Sequence, residues 1–163
     1  MDLSLSKEQD VICETLQSFL QKECPMARVR STEELGFDPR LWLQLDEMGI
    51  ARMAAPERLG GEGSSLVDVV LVLEQVGGQL APIPLVENST ACRLLGRART
   101  ALQPLPRALE EVGGIATLAL HPARDSVWRV VPAGAIADVV IGIEGDRLIA
   151  VTSTPPRSAL KNL

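Results

Sequence analysis

The stretch Ala54-Ala55-Pro56-Glu57-Arg58-Leu59-Gly60-Gly61-Glu62-Gly63 decides how this 163-residue chain folds, because it separates two apolar segments with a proline and three glycines. Proline and glycine are the residues that most strongly interrupt regular structure. The pattern therefore predicts a tight loop between two packed helices. The glycines do not indicate a phosphate-binding cradle, since no strand precedes them and the six-residue dinucleotide spacing is absent.

Helical patterns flank this loop on both sides. Asp38-Pro39 is typical of a helix start, and the apolar residues that follow recur at helical spacing before Gly49, which suits the positive φ of a helix exit. After the loop, Ser64 or Ser65 can cap a third helix. Its body, Leu66 to Val76, is apolar on nearly every side, which predicts a place in the middle of a bundle.

The other helices are marked by caps and by apolar spacing. Ser6 and Gln9 form a capping-box pattern at the start of the first helix. Its expected buried face consists of Val11, Ile12, Leu16, Phe19 and Leu20. Residues 27–36 are polar with weak periodicity. Leu85 to Leu95 predicts a fourth helix, and Pro104 to Val112 a short fifth.

Short apolar runs replace the helical pattern after Gly113-Gly114. Four strands are expected, at Ile115–Leu120, Val127–Val131, Asp138–Ile143 and Arg147–Val151. Glu144-Gly145-Asp146 is typical of a tight hairpin turn. The sequence therefore predicts an α+β fold, with an amino-terminal helical bundle over residues 1–112 and a partial antiparallel β domain over residues 113–163.

Composition restricts the function classes. The net charge is −5 and the pI about 4.9, which argues against a nucleic-acid partner. No apolar stretch is long enough to span a membrane, and Met1 to Ser4 lacks the basic start of a signal peptide. Three cysteines without such a signal fit a reducing compartment, so a cytoplasmic location is expected.

Clusters of charged or metal-binding residues are few. There is one histidine, and no cysteine pair has ligand spacing, so no metal site is expected.

Four arginines lie close in sequence, namely Arg93, Arg97, Arg99 and Arg107. They suit either a solvated helix face and loop or an anionic group such as a CoA phosphate.

Two segments carry a family resemblance. The run from Trp42 to Pro84, "WLQLDEMGIARMAAPERLGGEGSSLVDVVLVLEQVGGQLAPIP", resembles the amino-terminal helical domain of acyl-CoA dehydrogenases. "PAGAIADVVIGIEGDRLIAV", from Pro132 to Val151, is similar to the family's middle β-barrel domain. The resemblance implies a helical domain followed by the opening of the barrel. The family's third, helical domain has no counterpart in these 163 residues.

The resemblance also implies a chemistry. Members of the family use FAD to dehydrogenate acyl-CoA thioesters between the α and β carbons, and a carboxylate removes the α-proton. The acyl cavity would be lined by the fourth helix, at Leu85, Val86, Ser89, Thr90 and Cys92. The flavin-contacting segment corresponds to residues 120–126, where His121 and Ser126 are the candidate FAD-binding residues. The family's Thr-Glu pair and glycines are absent from that segment.

No residue here corresponds to the catalytic base, which the resemblance places in the third domain. Glu74 is expected to be structural, whereas Glu87, at the start of the fourth helix, is a candidate for substrate contact. Three functions stay open: part of an FAD-dependent acyl-CoA dehydrogenase inactive alone, a non-catalytic assembly subunit, or an acyl- or CoA-binding module. The expected partners are an acyl-CoA substrate and an acyl-CoA dehydrogenase-like subunit, in a homo- or hetero-oligomer.

Overall fold

A computed structural model describes residues 4–97 and 113–152 of the chain. The helices are α1 (Lys7–Glu23), α2 (Met26–Ser31), α3 (Pro39–Glu47), α4 (Leu66–Gly78) and α5 (Leu85–Arg97), and the strands are β1 (Ala116–Leu118), β2 (Val139–Glu144) and β3 (Arg147–Thr152). This order confirms the α+β class. The domain boundary at residue 112 stays a prediction, because residues 98–112, with the expected fifth helix, lie outside the described part.

The predicted helix starts are confirmed by their capping hydrogen bonds. Ser6 and Gln9 form a reciprocal capping box on α1. The Asp38 carboxylate accepts hydrogen bonds from the first two free backbone N–H groups of α3, both at 3.0 Å. Ser65, rather than Ser64, caps α4, and the Asp68 carboxylate accepts a hydrogen bond from the backbone N–H of Ser65. Side-chain oxygens therefore satisfy the donors that a helix leaves unpaired.

The glycine-rich loop packs closely against its own start and against the end of α5. A Cβ at Gly61 would lie 2.3 Å from the carbonyl oxygens of Arg52 and Ala55, so only glycine fits. The Arg58 guanidinium donates to the carbonyl oxygens of Leu95 and Gly96 at 3.0 and 2.8 Å. A cation at these free carbonyls caps the carboxyl end of α5.

Helix α4 is less buried than its composition predicts. Val69, Val72 and Val76 are buried in the core, whereas Leu66, Val67 and Val70 are 59%, 57% and 52% exposed. One face of α4 packs on α1, and the described part of the chain places no element over the other face. The prediction that α4 lies at the centre of a bundle is therefore wrong for this part of the chain.

Helix α1 also has apolar side chains that are exposed to solvent. Its fully buried residues are Leu16 and Leu20, which pack into the core, while Val11 of the predicted buried face is 60% exposed. The core is completed by Trp42, Leu41 and Leu45 of α3, by Leu85 of α5 and by Ile136, which precedes β2. Within the described residues, no helix is long and apolar enough to cross a membrane.

A polar segment that showed no clear periodicity forms the six-residue helix α2. Pro25 precedes it, and Arg28 on α2 pairs with the Asp38 carboxylate and donates to the carbonyl oxygen of Glu23 at 2.9 Å. A helix this short is held by such contacts more than by its sequence pattern. That is why periodicity did not reveal it.

Within residues 4–97 and 113–152 the sheet has three strands, in the order β1-β2-β3. The predicted β2–β3 hairpin is confirmed as antiparallel, and its turn places Gly145 at φ +61°. β1 instead pairs parallel with β2, and Ala116 lies opposite Val139. Two neighbouring strands can be parallel here because the long connection between them carries the chain back to the end of the sheet at which β1 begins. The sheet is therefore mixed rather than purely antiparallel.

The prediction of a strand at Val127–Val131 is wrong. Only a single bridge joins Arg124 to Val127, and the segment makes a loop between β1 and β2. Asp125, Ser126 and Val130 have φ values of +53°, +59° and +53°. Positive φ at non-glycine residues is incompatible with an extended strand.

Candidate functional site

A groove of about 220 Å³ lies between α5 and the β1 strand, and we call it the α5–β1 groove. It is lined by Val86, Glu87, Thr90, Thr117, Leu118, Leu120 and Pro132. Val86 and Thr90 stand one turn apart on α5, so both side chains face the same wall. Most of the lining is apolar, which suits a hydrocarbon ligand.

A buried asparagine fixes the distance between the two walls. Asn88 is 1% exposed, and its side-chain nitrogen donates to the carbonyl oxygen of Ala51 at 2.8 Å. Its side-chain oxygen accepts from the backbone N–H of Ala116 at 2.8 Å. On the β side, the Thr117 hydroxyl donates to the carbonyl oxygen of Pro132 at 2.6 Å. The groove is therefore built on ordered elements.

The residues predicted to line an acyl cavity separate into two sets. Val86 and Thr90 line the α5–β1 groove. Leu85, Ser89 and Cys92 are 1%, 3% and 7% exposed and lie in the interior instead. Burial raises the pKa of the Cys92 thiol to about 11, so it stays protonated and unreactive near neutral pH. The Ser89 hydroxyl is buried without a hydrogen-bond partner within the described structure.

Glu87 lines both the α5–β1 groove and a second cavity of about 210 Å³. The second cavity is lined by residues from four segments, including Leu35, Ile83, Pro84, Ala133 and Ile136. The Glu87 side chain is half-buried, and it has no hydrogen bond or ion pair with any residue of the described ranges. Glu74, by contrast, is exposed on α4 and lines neither cavity.

A third cavity, of about 300 Å³, lies in the loop that follows β1, and we call it the basic pocket. It is lined by His121, Pro122, Arg124, Val127, Arg129 and Val130. Within residues 4–97 and 113–152, neither guanidinium of the pocket has an ion-pair or hydrogen-bond partner. Two guanidiniums and an imidazole in one lining suit an anionic group such as phosphate.

The basic pocket is anchored to the sheet. The Trp128 indole N–H donates to the carbonyl oxygen of Ile143 at 3.2 Å, and the backbone N–H of Ala123 donates to the same oxygen at 3.1 Å. A Cβ at Gly142 would lie 2.6 Å from the Trp128 ring, so glycine lets the indole lie directly on β2. These contacts hold the loop that carries Arg124 and Arg129.

The two proposed cofactor-binding residues do not meet. His121 lines the basic pocket, whereas Ser126 is exposed at positive φ and is not part of its lining. The basic pocket and the α5–β1 groove, however, adjoin in sequence, because Leu120 lines the groove and His121 lines the pocket. An apolar channel beside a cationic pocket matches a ligand with a hydrocarbon tail and a phosphate-bearing head.

The arginine cluster after α5 has a structural member. Arg93 donates to the carbonyl oxygen of Ser64 at 3.0 Å and so ties α5 to the start of α4. Arg97 is exposed, and Arg99 and Arg107 lie outside the described residues. For Arg93, the structure favours the helix-face interpretation over anion binding.

Sequence reasoning missed Arg124 and Arg129, the two charges that define the basic pocket. They were placed in or beside an expected strand, where alternate side chains would point to opposite faces. The loop with positive φ at Asp125 and Ser126 brings them to one cavity instead. The family pattern for this segment consists of glycines and hydroxyl-bearing residues, and it does not predict arginines here.

Comparison with known sequences identifies a family and its relatives. Residues 6–103 match the family model described as "Acyl-CoA dehydrogenase, N-terminal domain". The chain is 35% identical over 148 residues to "Acyl-CoA dehydrogenase IpdE2" of Mycolicibacterium smegmatis, covering 88% of this chain and 45% of that protein. It is 33% identical to the protein of the same name from Mycobacterium tuberculosis, covering 87% and 44%. The chain thus spans less than half the length of these relatives.

Solved structures share the fold. The chain superposes with a TM-score of 0.72 on a chain of the ChsE4-ChsE5 complex from Mycobacterium tuberculosis, at 24% identity, covering 94% of this chain and 49% of that one. A variant of the Tcur3481-Tcur3483 steroid ACAD gives a TM-score of 0.71, also at 24% identity, covering 93% and 49%. At this identity the likeness concerns the fold alone.

Proposed function

Since this chain belongs to the acyl-CoA dehydrogenase family, we propose that it is the amino-terminal part or a shortened subunit of an FAD-dependent acyl-CoA dehydrogenase, and that it binds the acyl-CoA substrate. The observation that carries the proposal is that the α5–β1 groove and the basic pocket are lined by the consecutive residues Leu120 and His121. The groove takes the acyl chain, and the pocket takes a phosphate of the CoA.

Each part of the site contributes to the binding free energy through a different interaction. The apolar lining of the groove removes hydrocarbon surface from water, at roughly 25 cal/mol per Å². Arg124 and Arg129 supply charge-assisted hydrogen bonds and charge attraction to phosphate. Asn88 holds α5 against β1, so the ligand does not have to order the two walls on binding.

The family uses FAD, which supplies hydride acceptance when bound. The donors of the basic pocket, two guanidiniums and an imidazole, fit a phosphate group, and the pyrophosphate of FAD is one alternative to CoA as the occupant. Val86, Thr90 and Leu118 would position the acyl chain and exclude water from it. The base that removes the α-proton is supplied from outside residues 1–163 in this proposal.

The proposal includes an acyl-CoA dehydrogenase-like partner or a second copy of such a subunit, and a cytoplasmic location. Of the two solved structures that share the fold, one is named as the ChsE4-ChsE5 complex and the other as the Tcur3481-Tcur3483 steroid ACAD. The exposed apolar residues of α4, Leu66, Val67 and Val70, supply a surface that a further domain or subunit would cover. Cys13, Cys24 and Cys92 are free thiols, which suits a reducing compartment.

A second candidate function is a non-catalytic subunit or binding module of the same fold. It is favoured by the loop of residues 121–130, where arginines and positive φ values replace the family's hydroxyl- and glycine-rich segment. Such a subunit would bind acyl-CoA and stabilise a partner without contributing flavin contacts of its own.

Calorimetric titration and a turnover assay test the proposal together. The purified chain is titrated with octanoyl-CoA, with CoA and with octanoate, and is assayed with added FAD and an artificial electron acceptor. We expect octanoyl-CoA to bind more tightly than either fragment and turnover to stay at the level of the no-enzyme control. Failure of octanoyl-CoA to bind would contradict the substrate-binding role, and turnover by the chain alone would contradict the need for an external base.

A further inference from the structure

We propose that Glu87 makes this site selective for acyl groups that carry a hydroxyl on the part of the chain remote from the thioester. The inference rests on the proposed acyl-CoA-binding function. Its starting point is that Glu87 lines both the α5–β1 groove and the second cavity. An acyl chain that enters the groove beside the basic pocket and extends along it reaches this carboxylate.

The surroundings of Glu87 leave its hydrogen-bonding capacity unused. The carboxylate oxygens can accept about four hydrogen bonds, and none comes from a residue of the described ranges. By contrast, the other polar groups of the groove are already engaged. The Thr90 hydroxyl donates to the carbonyl oxygen of Val86 at 2.7 Å, and the Thr117 hydroxyl donates to that of Pro132.

Desolvation sets the direction of the selectivity. An unsubstituted acyl chain displaces water from the Glu87 carboxylate and offers no hydrogen bond in its place. The free energy lost with that water opposes binding. A hydroxyl on the same chain donates to the carboxylate and replaces the lost water. A site built to hydrogen-bond a ligand hydroxyl discriminates strongly against the analogue that lacks it, whereas an apolar pocket does not reject a hydroxyl in the same way.

The second cavity provides room for the substituted end of the ligand. Beyond Glu87 its volume is about 210 Å³, and it runs between the α2–α3 connection and the segment that precedes β2. An acyl group longer than the α5–β1 groove would extend past Glu87 toward this cavity, because Glu87 belongs to both linings. The polar substituent is therefore expected along the chain or at its end, away from the carbonyl.

Paired ligands and matched variants test this inference. Octanoyl-CoA is compared with 8-hydroxyoctanoyl-CoA, and dodecanoyl-CoA with 12-hydroxydodecanoyl-CoA, so that two chain lengths sample the distance to Glu87. The four ligands are titrated calorimetrically into the wild-type chain, E87Q, E87L and the control E74Q. Glu74 is a suitable control because it is exposed on the neighbouring helix α4 and lines neither cavity.

For at least one pair we expect the wild type and E74Q to bind the hydroxylated ligand about tenfold more tightly than the unsubstituted one. E87L should bind the unsubstituted ligand more tightly than the wild type does and the hydroxylated ligand more weakly, a reversal that misfolding cannot produce. E87Q should keep a reduced preference.

Equal affinities within both pairs, or a preference that persists in E87L, would overturn the inference while leaving acyl-CoA binding intact. If none of the four ligands binds the wild type, the proposed function fails together with the inference.

Discussion

The side-chain oxygen of Asn88 accepts a hydrogen bond from the backbone N–H of Ala116 at 2.8 Å, and so joins the two walls of the α5–β1 groove through one buried side chain. The same side chain donates to the carbonyl oxygen of Ala51 at 2.8 Å. The helical part, the loop after α3 and the first strand of the sheet therefore meet at a single amide. Stability and ligand binding should both depend on it.

Asn88→Leu should destabilise the chain by at least about 2 kcal/mol, because it leaves the N–H of Ala116 and the carbonyl of Ala51 buried and unpaired. Urea titration measures the change in the free energy of unfolding. Thr90→Val is the control on the same helix, since Thr90 is exposed and should cost less than about 1 kcal/mol. Equal losses in the two variants would show that Asn88 does not join the walls.

The basic pocket should control the salt dependence of CoA binding. The double substitution Arg124→Ala with Arg129→Ala should weaken the binding of CoA by at least about tenfold, because two charge-assisted contacts to phosphate are lost. The variant should also respond less to added salt, since fewer charges attract the ligand. Arg30→Ala, on α2, is the control. Unchanged affinity in the double variant would place the phosphate elsewhere.

Asp38 should make stability depend on pH in the acid range. Burial acts to raise its pKa, but the hydrogen bond from Arg28, the backbone donors of α3 and the Arg28 charge prevail and lower it. A lowered pKa means that the stabilisation is fully present above the ordinary value near 3.8 and is lost as pH falls through the folded-state value.

Asp38→Asn keeps a good helix cap but removes the charge. Denaturation at neutral pH should show a loss of about 2 kcal/mol, and this loss should shrink below about pH 4. Glu14→Gln, exposed on α1, is the control and should cost little at either pH. A loss in Asp38→Asn that does not change with pH would contradict the role of the ion pair.

The two faces of α4 should differ in their contribution to stability. Val72 is fully buried, so Val72→Ala should cost about 2 kcal/mol. Val70 is 52% exposed, so Val70→Ala should cost within about 0.5 kcal/mol in the isolated chain. Denaturant titration of both variants makes the comparison. Similar losses would mean that the outer face of α4 is covered in the isolated chain.

Elements with strong local signals could be predicted from the sequence. The caps at Ser6 and Asp38, the exit at Gly49 and the β2–β3 hairpin each depend on a few neighbouring residues, and all are found. The six-residue helix α2 has no such signal. Its position depends on Arg28 reaching Asp38, a contact between segments.

The site was predictable only in part, because it too depends on contacts between segments that are distant in sequence. The family resemblance named Val86 and Thr90 among the residues that line the acyl cavity, but which face of α5 meets β1 depends on Asn88 and Ala116, 28 residues apart. The basic pocket depends on positive φ values at Asp125 and Ser126, which apolar periodicity does not encode. Glu87 was recognised as a candidate contact, whereas its place between two cavities required the fold.

Photoaffinity labelling tests the central claim most directly, because it reports where an acyl-CoA lies on this chain. A fatty acyl-CoA with a diazirine in the acyl chain is irradiated with the protein, and labelled peptides are identified by mass spectrometry. The account predicts labelling of residues 85–97 and 113–120, which is suppressed by excess octanoyl-CoA. Labelling confined to the exposed faces of α1 and α4, or labelling that octanoyl-CoA does not suppress, would contradict it.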